Sequence, residues 1–270
     1  MPGDALDPVT ITSRRILLDA LEVLKAHSEH IVLVGAHAIY LHTEDVVTGV
    51  ALFTKDVDLA LVPPLDETPD IDQMMRAAGF SEGPQPGIWE LAGGQVDLLV
   101  PEAFASPAGR RAARLPGHGR PTARKVSGIE GAVVDNEMRT IRALDPHDLR
   151  SIRIRVAGPG ALLISKAFKL AERAAEQGQD RLADKDAFDA YRLLQLPTGV
   201  VVGGIRRMLD DHLTRPTVKV GIEHIRRLFA SADAIGSQMA GRSVERVGDP
   251  ETIRLATAAL AEELLRTLAT

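Results

Sequence analysis

The chain has 270 residues, 45% of them apolar, a formal net charge of −5 and no cysteine. That length has room for two ordinary domains and that apolar content fills their cores, so a disordered chain is excluded. The acidic balance argues against a protein that coats nucleic acid with its whole surface, and the missing thiol excludes disulfides, thiolate zinc sites and cysteine nucleophiles.

The opening MPGDALDPVT lacks a basic start followed by an apolar run, and no window reaches the roughly 18 apolar residues of a membrane span. A soluble, cytoplasmic protein with no membrane partner is expected. Aromatic residues make up only 3%, which disfavours a single-strand binder built on base stacking.

In chain order, residues 10–26 read as an amphipathic helix, with Thr12 or Ser13 as cap and Ile16, Leu17, Leu21 and Leu24 at helical spacing. An apolar β-branched run, residues 31–34, predicts a strand that breaks at Gly35 and leads into a short helix over 36–42. His37 and His42 lie in or beside that helix and are given no role. After a loop over 43–55, a second strand carries Asp56 and Asp58. Alternation puts these two acids on one face, about 7 Å apart at their α-carbons, and Val57, Leu59 and Leu61 on the other. Two carboxylates held this way repel unless a cation sits between them, and hard oxygen ligands suit Mg²⁺ carrying a nucleotide phosphate.

Residues 69–78 read as a helix ended by Gly79, and residues 88–91 and 95–100 as a hairpin through Gly93-Gly94. Asp97 interrupts the second hairpin strand on the face opposite Val96, Leu98 and Val100. Over residues 110–125, Arg110, Arg111, Arg114, Arg120, Arg124 and Lys125 occur with no acid among them. Such a run is most often a solvated loop, yet in an acidic protein it is also a guide for a polyanion such as tRNA or another RNA. Residues 133–144 and 151–156 read as strands that complete the sheet.

Gly158-Pro159-Gly160 marks a boundary between domains at 1–157 and 158–270. Beyond it the period turns helical. Residues 161–177 place Lys166, Lys169 and Arg173 on one face, and residues 183–195 bring Lys185, Asp189 and Arg192 near one another. Taken alone these are ordinary exposed faces. Residues 198–213, 219–232 and 250–268 are further helices without a legible motif, the last capped by Asp249.

A strand, a glycine turn, a short helix and an Asp-x-Asp strand together resemble the core of the DNA polymerase β-like nucleotidyltransferase superfamily. The phrase VGAHAIYLH…TKDVDLALV, with QVDLLV and SKAFKLAERAAEQGQDRLADKDAFDAYRLL, is similar to the AbiEii-type toxin nucleotidyltransferases over roughly residues 28–196. The resemblance implies that Asp56, Asp58 and Asp97 form a carboxylate triad for two Mg²⁺ ions, Mn²⁺ being an alternative. It implies that Gly35 and Ala36 approach the triphosphate, that Lys166 meets it, and that Lys185, Asp186 and Asp189 border the site. The third acid would bind the second metal or accept the proton of the attacking hydroxyl. Where that family usually has Gly-Gly or Gly-Ser, this chain has Gly35-Ala36, which keeps an amide but supplies no hydroxyl.

The expected fold is α/β (α+β), a small mixed-sheet nucleotidyltransferase core with flanking helices followed by a helical C-terminal lobe, with an active cleft between the two. The expected reaction moves a nucleoside monophosphate from an NTP to a nucleic-acid (tRNA-like) or protein hydroxyl. The resemblance further implies toxin work within a type IV toxin–antitoxin pair, with a cognate antitoxin as partner. An antibiotic-modifying nucleotidyltransferase and a non-catalytic nucleotide- or partner-binding member are the competing readings.

Overall fold

The computed structural model describes residues 7–46, 53–105, 112–119, 122–175 and 181–270. The protein is α/β: an eight-stranded mixed sheet with helices on its flank and a run of helices at the C-terminal side of the sequence. Two compact units share the chain unevenly. The first gathers Met1–Ala38, Ala51–Val126 and Asn136–Ala157, the second Ile39–Val50, Ser127–Asp135 and Gly158–Thr270. The second therefore takes two segments from before residue 158. Among the described residues no helix is long and apolar enough to cross a membrane.

In the first unit, α1 (Pro8–Val23) starts earlier than its sequence suggests, because Asp7 caps it by accepting from the Val9 N–H at 2.8 Å. Ser13, read as a cap, lies inside the helix, buried, with its hydroxyl 2.8 Å from His37 Nε2. A 3-10 turn (Lys25–His30) then leads into β1 (Ile31–Val34), whose four side chains are all buried. After α2 (Gly35–His42) the chain returns as β2 (Asp56–Leu61), antiparallel to β1. Next come α3 (Ile71–Ala77), capped by Asp70, and the short β3 (Ser81–Glu82). A hairpin follows, of β4 (Ile88–Leu91) and β5 (Gly94–Pro101). It turns through Ala92 and Gly93 at φ 50° and 82°, a type I′ geometry whose twist matches the strands it joins.

The sheet order is β3-β4-β5-β2-β1-β8-β7, with β6 (Arg124–Val126) also pairing β5. β7 (Asn136–Arg142) and β8 (Ser151–Ala157) form an antiparallel pair, and β8 runs parallel to β1. β5 lies parallel to β2, so alternate residues of the two strands share faces. On one face Leu33, Leu59, Leu61, Val96 and Leu98 are buried, and α1 packs on β2, β5 and β8. The other face carries the acids.

In the second unit, α4 (Pro159–Ala175) is central and packs on α5 (Arg181–Leu194), α6 (Thr198–Asp210) and α7 (Arg215–Phe229). α8 (Ile235–Arg242) and α9 (Pro250–Ala269) complete it. α8 falls in a stretch with no helical reading, since interior glycines disfavour helix. Gly236 is required there because a Cβ would stand 2.6 Å from the Phe229 ring.

The strand read over 133–144 starts only at Asn136, and a 3-10 turn (Glu130–Val133) precedes it. Asp135 explains the shift. Its buried carboxylate accepts from the Ala161 N–H at 2.9 Å at the start of α4 and from Arg207 at 2.6 Å, while its carbonyl accepts from the Gly158 N–H at 2.7 Å. Gly158 and Gly204 close around it, each so near that a Cβ would lie 2.4–2.5 Å from a carboxylate oxygen. Asp135→Ala leaves that helix N-terminus without its acceptor and should cost about 2 kcal/mol, read as a lowered denaturant midpoint with an unchanged m-value.

Candidate functional site

β2 and β5 place the three acids of the sequence reading on one sheet face. Asp58 stands in register with Asp97, and Asp56 with Gln95. Neighbouring strands are about 4.8 Å apart, so the Asp58 and Asp97 backbones are as close as a sheet allows. Asp97 is buried, with 5% of its surface exposed, whereas Asp56 and Asp58 are intermediate.

Burial raises the Asp97 carboxyl to about 6, with the Asp58 charge as the next cause and Asp56 adding to it. Arg124 and Gln95 pull the other way. Arg124, one of the basic run, donates to Asp97 Oδ2, and Gln95 Nε2 donates to Oδ1 at 2.6 Å. Arg124 is held there because β6 continues the edge of β5 where β4 stops, setting Arg124 opposite Leu99 on the acids' face.

Gly35 completes the arrangement. It sits at φ 69°, and a Cβ would lie 2.0 Å from Asp58 Oδ2, so the Asp58 carboxylate occupies the space a side chain would need. Val34, just before it, is the antiparallel partner of Asp58. Ala36 follows in α2 and is buried. His37 is buried on Ser13 and packs within the core.

The donors fit Mg²⁺ in kind. They are hard carboxylate oxygens brought to one face by strand register, with Asp97 among them bonded to Arg124. Among the described residues no group of three His, Asp or Glu side chains converges as a ready ligand set.

In the second unit, Lys166, Lys185, Asp186 and Asp189 meet, but in a different manner from the one expected. Lys166 is buried, its Nζ 2.5 Å from Asp186 and 2.8 Å from Asp189, both buried on α5. Burial disfavours its charge, yet the two carboxylates outweigh burial and hold the ammonium above the usual lysine range. Burial likewise opposes ionisation of Asp186, and Lys166 and Lys169 overcome it, keeping that carboxyl below the ordinary range. Lys169 lies 3.4 Å from Asp186, Arg173 bonds the same carboxylate, and Lys185 lies 3.2 Å from Asp189.

Four cations thus serve two carboxylates. Nearby, Lys185 and Arg192 lie over the Tyr40 ring, at 5.7 and 5.9 Å from its centroid. The face of α4 read as exposed turns Lys166 inward, and the more accessible charge belongs to Lys169, whose side chain is 49% exposed. Sequence alone does not single out Lys169, Arg173, Gln95 or Arg124 as site residues. Their i, i+3, i+7 spacing from Lys166 signals the first two, whereas nothing short of strand pairing signals the others.

Arg110, Arg111 and Arg120 of the basic run lie outside the described residues. Arg114 is exposed, and Lys125 is intermediate. Compared with known proteins, the chain matches no family model, no curated protein and no solved structure.

Two measurements test these electrostatics. Lys166→Met removes the cation shared by two buried carboxylates and should lower stability by about 3 kcal/mol in chemical denaturation, whereas a phosphate-facing surface lysine would be replaced at little cost. The raised Asp97 carboxyl gives its stabilising contribution in full below the ordinary carboxylate range and loses it as pH rises through about 6. Melting temperature should therefore fall across that window in the wild type, and the fall attributable to this residue should be absent from Asp97→Asn.

Proposed function

We propose that the protein is a Mg²⁺-dependent nucleotidyltransferase, moving a nucleoside monophosphate from an NTP to an acceptor hydroxyl. The observation that carries the reading is the face shared by Asp56, Asp58 and Asp97, with Gly35 giving up its side-chain space to Asp58. Asp56 and Asp58 would hold the metal, and Asp97 would either bind a second ion or take the proton of the attacking hydroxyl. The ion would supply positive charge to phosphate oxygens and neutralise charge that develops on the leaving group.

The protein's own groups have separable tasks in this scheme. Asp58 lies close against the Gly35 backbone, in the space a side chain there would take. Asp97, raised to about 6, is suited to take a proton from an attacking hydroxyl near neutral pH, and its bonds from Gln95 and Arg124 orient the carboxylate for that task. Within the second unit, taken by itself, Lys169, Arg173 and Lys185 leave cationic surplus over Asp186 and Asp189. A nucleic-acid or protein acceptor, and work as the toxin of a toxin–antitoxin pair, rest on the sequence resemblance.

One observation favours a second reading. Arg124 already supplies Asp97 with a counter-charge, as a non-catalytic nucleotide-binding member would require. Asp58→Ala separates the two. With each labelled NTP, Mg²⁺ and total RNA, the wild type should release pyrophosphate and the variant should not, while its melting temperature stays equal or rises from relieved repulsion. Full activity in Asp58→Ala would overturn the catalytic reading, and nucleotide binding without turnover in the wild type would establish the second.

A further inference from the structure

The arginines of the β7–β8 hairpin are sorted by face. On the face opposite the acids, Arg139 bonds Glu137 at 2.7 Å. Just before β8, Arg150 is held by Asp148 at 2.7 Å and Asp19 at 2.6 Å. The other face presents Met138, Thr140 and Arg142 from β7 with Ser151, Arg153 and Arg155 from β8, as pairs Met138–Arg155, Thr140–Arg153 and Arg142–Ser151. It carries three arginines and no acid. All three are exposed, and among the described residues no carboxylate pairs with any of them; Arg155 alone has a side-chain bond, to Asn136 at 3.3 Å.

That face is the one with the acids. Arg155 is in register with Val32 of β1, Val32 with Ala60 of β2, and Ala60 lies two residues beyond Asp58 on the same side. Arg153 and Arg155 therefore lie two strands, about 10 Å, and Arg142 three strands, about 14 Å, from the strand bearing Asp56 and Asp58, with the buried Val32 and Ala60 between them. Charge on an edge strand also discourages sheet-to-sheet pairing, but that purpose is met by either sign and by either face. Three like charges side by side are mutually repulsive, and a polyanion is the ligand that relieves them.

We propose that Arg142, Arg153 and Arg155 form a track for the phosphate backbone of a nucleic-acid strand. The proposal goes beyond the nucleotidyltransferase reading and concerns binding alone. Arg153 and Arg155 are spaced about 6.8 Å along the strand, a step comparable to that between successive phosphates of an extended strand. No aromatic side chain lies among them, so the track reads phosphate rather than base.

The test is binding of a short unstructured RNA oligonucleotide to the full chain, followed by anisotropy across salt concentrations without nucleotide or metal. In Arg142→Gln/Arg153→Gln/Arg155→Gln, affinity at low salt should fall at least about tenfold, and the slope of log K against log[salt] should flatten by about 0.7 for each phosphate no longer neutralised. Arg139→Gln, on the other face of the same hairpin, should keep the wild-type slope. Should the triple variant melt early, the exposed single variant Arg153→Glu must still weaken binding. An unchanged slope in these variants, or wild-type binding to anionic vesicles but not to RNA, overturns the track. Asp58→Ala should bind RNA as the wild type does, so a flattened slope with no transfer by any form would leave the track standing and reject the nucleotidyltransferase reading.

Discussion

Asp58 and Asp97 stand side by side on parallel strands, and most of what surrounds them answers that crowding. Strand register brings the backbones to the closest spacing a sheet permits, and Asp97 is withdrawn from solvent. Each local feature then has a physical cause. A glycine follows β1 because the Asp58 carboxylate takes its side-chain volume, and β6 docks on β5 where it can bring Arg124 to Asp97. Such crowding is costly unless a positive charge offsets it, as Arg124 does for Asp97.

The second unit handles charge in the opposite way. Lys166, Asp186 and Asp189 are buried together and mutually satisfied, so their energy is spent within the fold. Breaking such a set is costly even when forming it adds little net stability, which makes it a device for fixing how α4 meets α5. Lys169, Arg173 and Lys185 surround that buried set with further positive charge at its more accessible rim.

The sequence was legible where a short local pattern determined the structure. Alternation around Asp56, Asp58 and Asp97 gave both the strands and their faces, and Gly93-Gly94 marked a hairpin whose turn falls one residue earlier, at Ala92-Gly93. It was less legible where a distant partner decided. A cation row at helical spacing reads as exposed unless one knows that α5 presents two aspartates to Lys166. Arg124 reads as part of a basic loop unless β6 is known to pair with β5, and three residues are too few to announce a strand. α8 was missed because its glycines are chosen for close approach to Phe229 and Pro250, which overrides their poor helix propensity.

The division of the chain between units also has a bearing on its biosynthesis. β8 pairs with β1, yet more than a hundred residues of synthesis separate Ile31–Val34 from Ser151–Ala157, and the segment beginning at Ile39 clusters with helices translated later still. Neither unit can therefore be finished in the order it leaves the ribosome. Apolar β1 must wait for its parallel neighbour, a long-range pairing of the kind that slows folding and exposes sticky edges meanwhile.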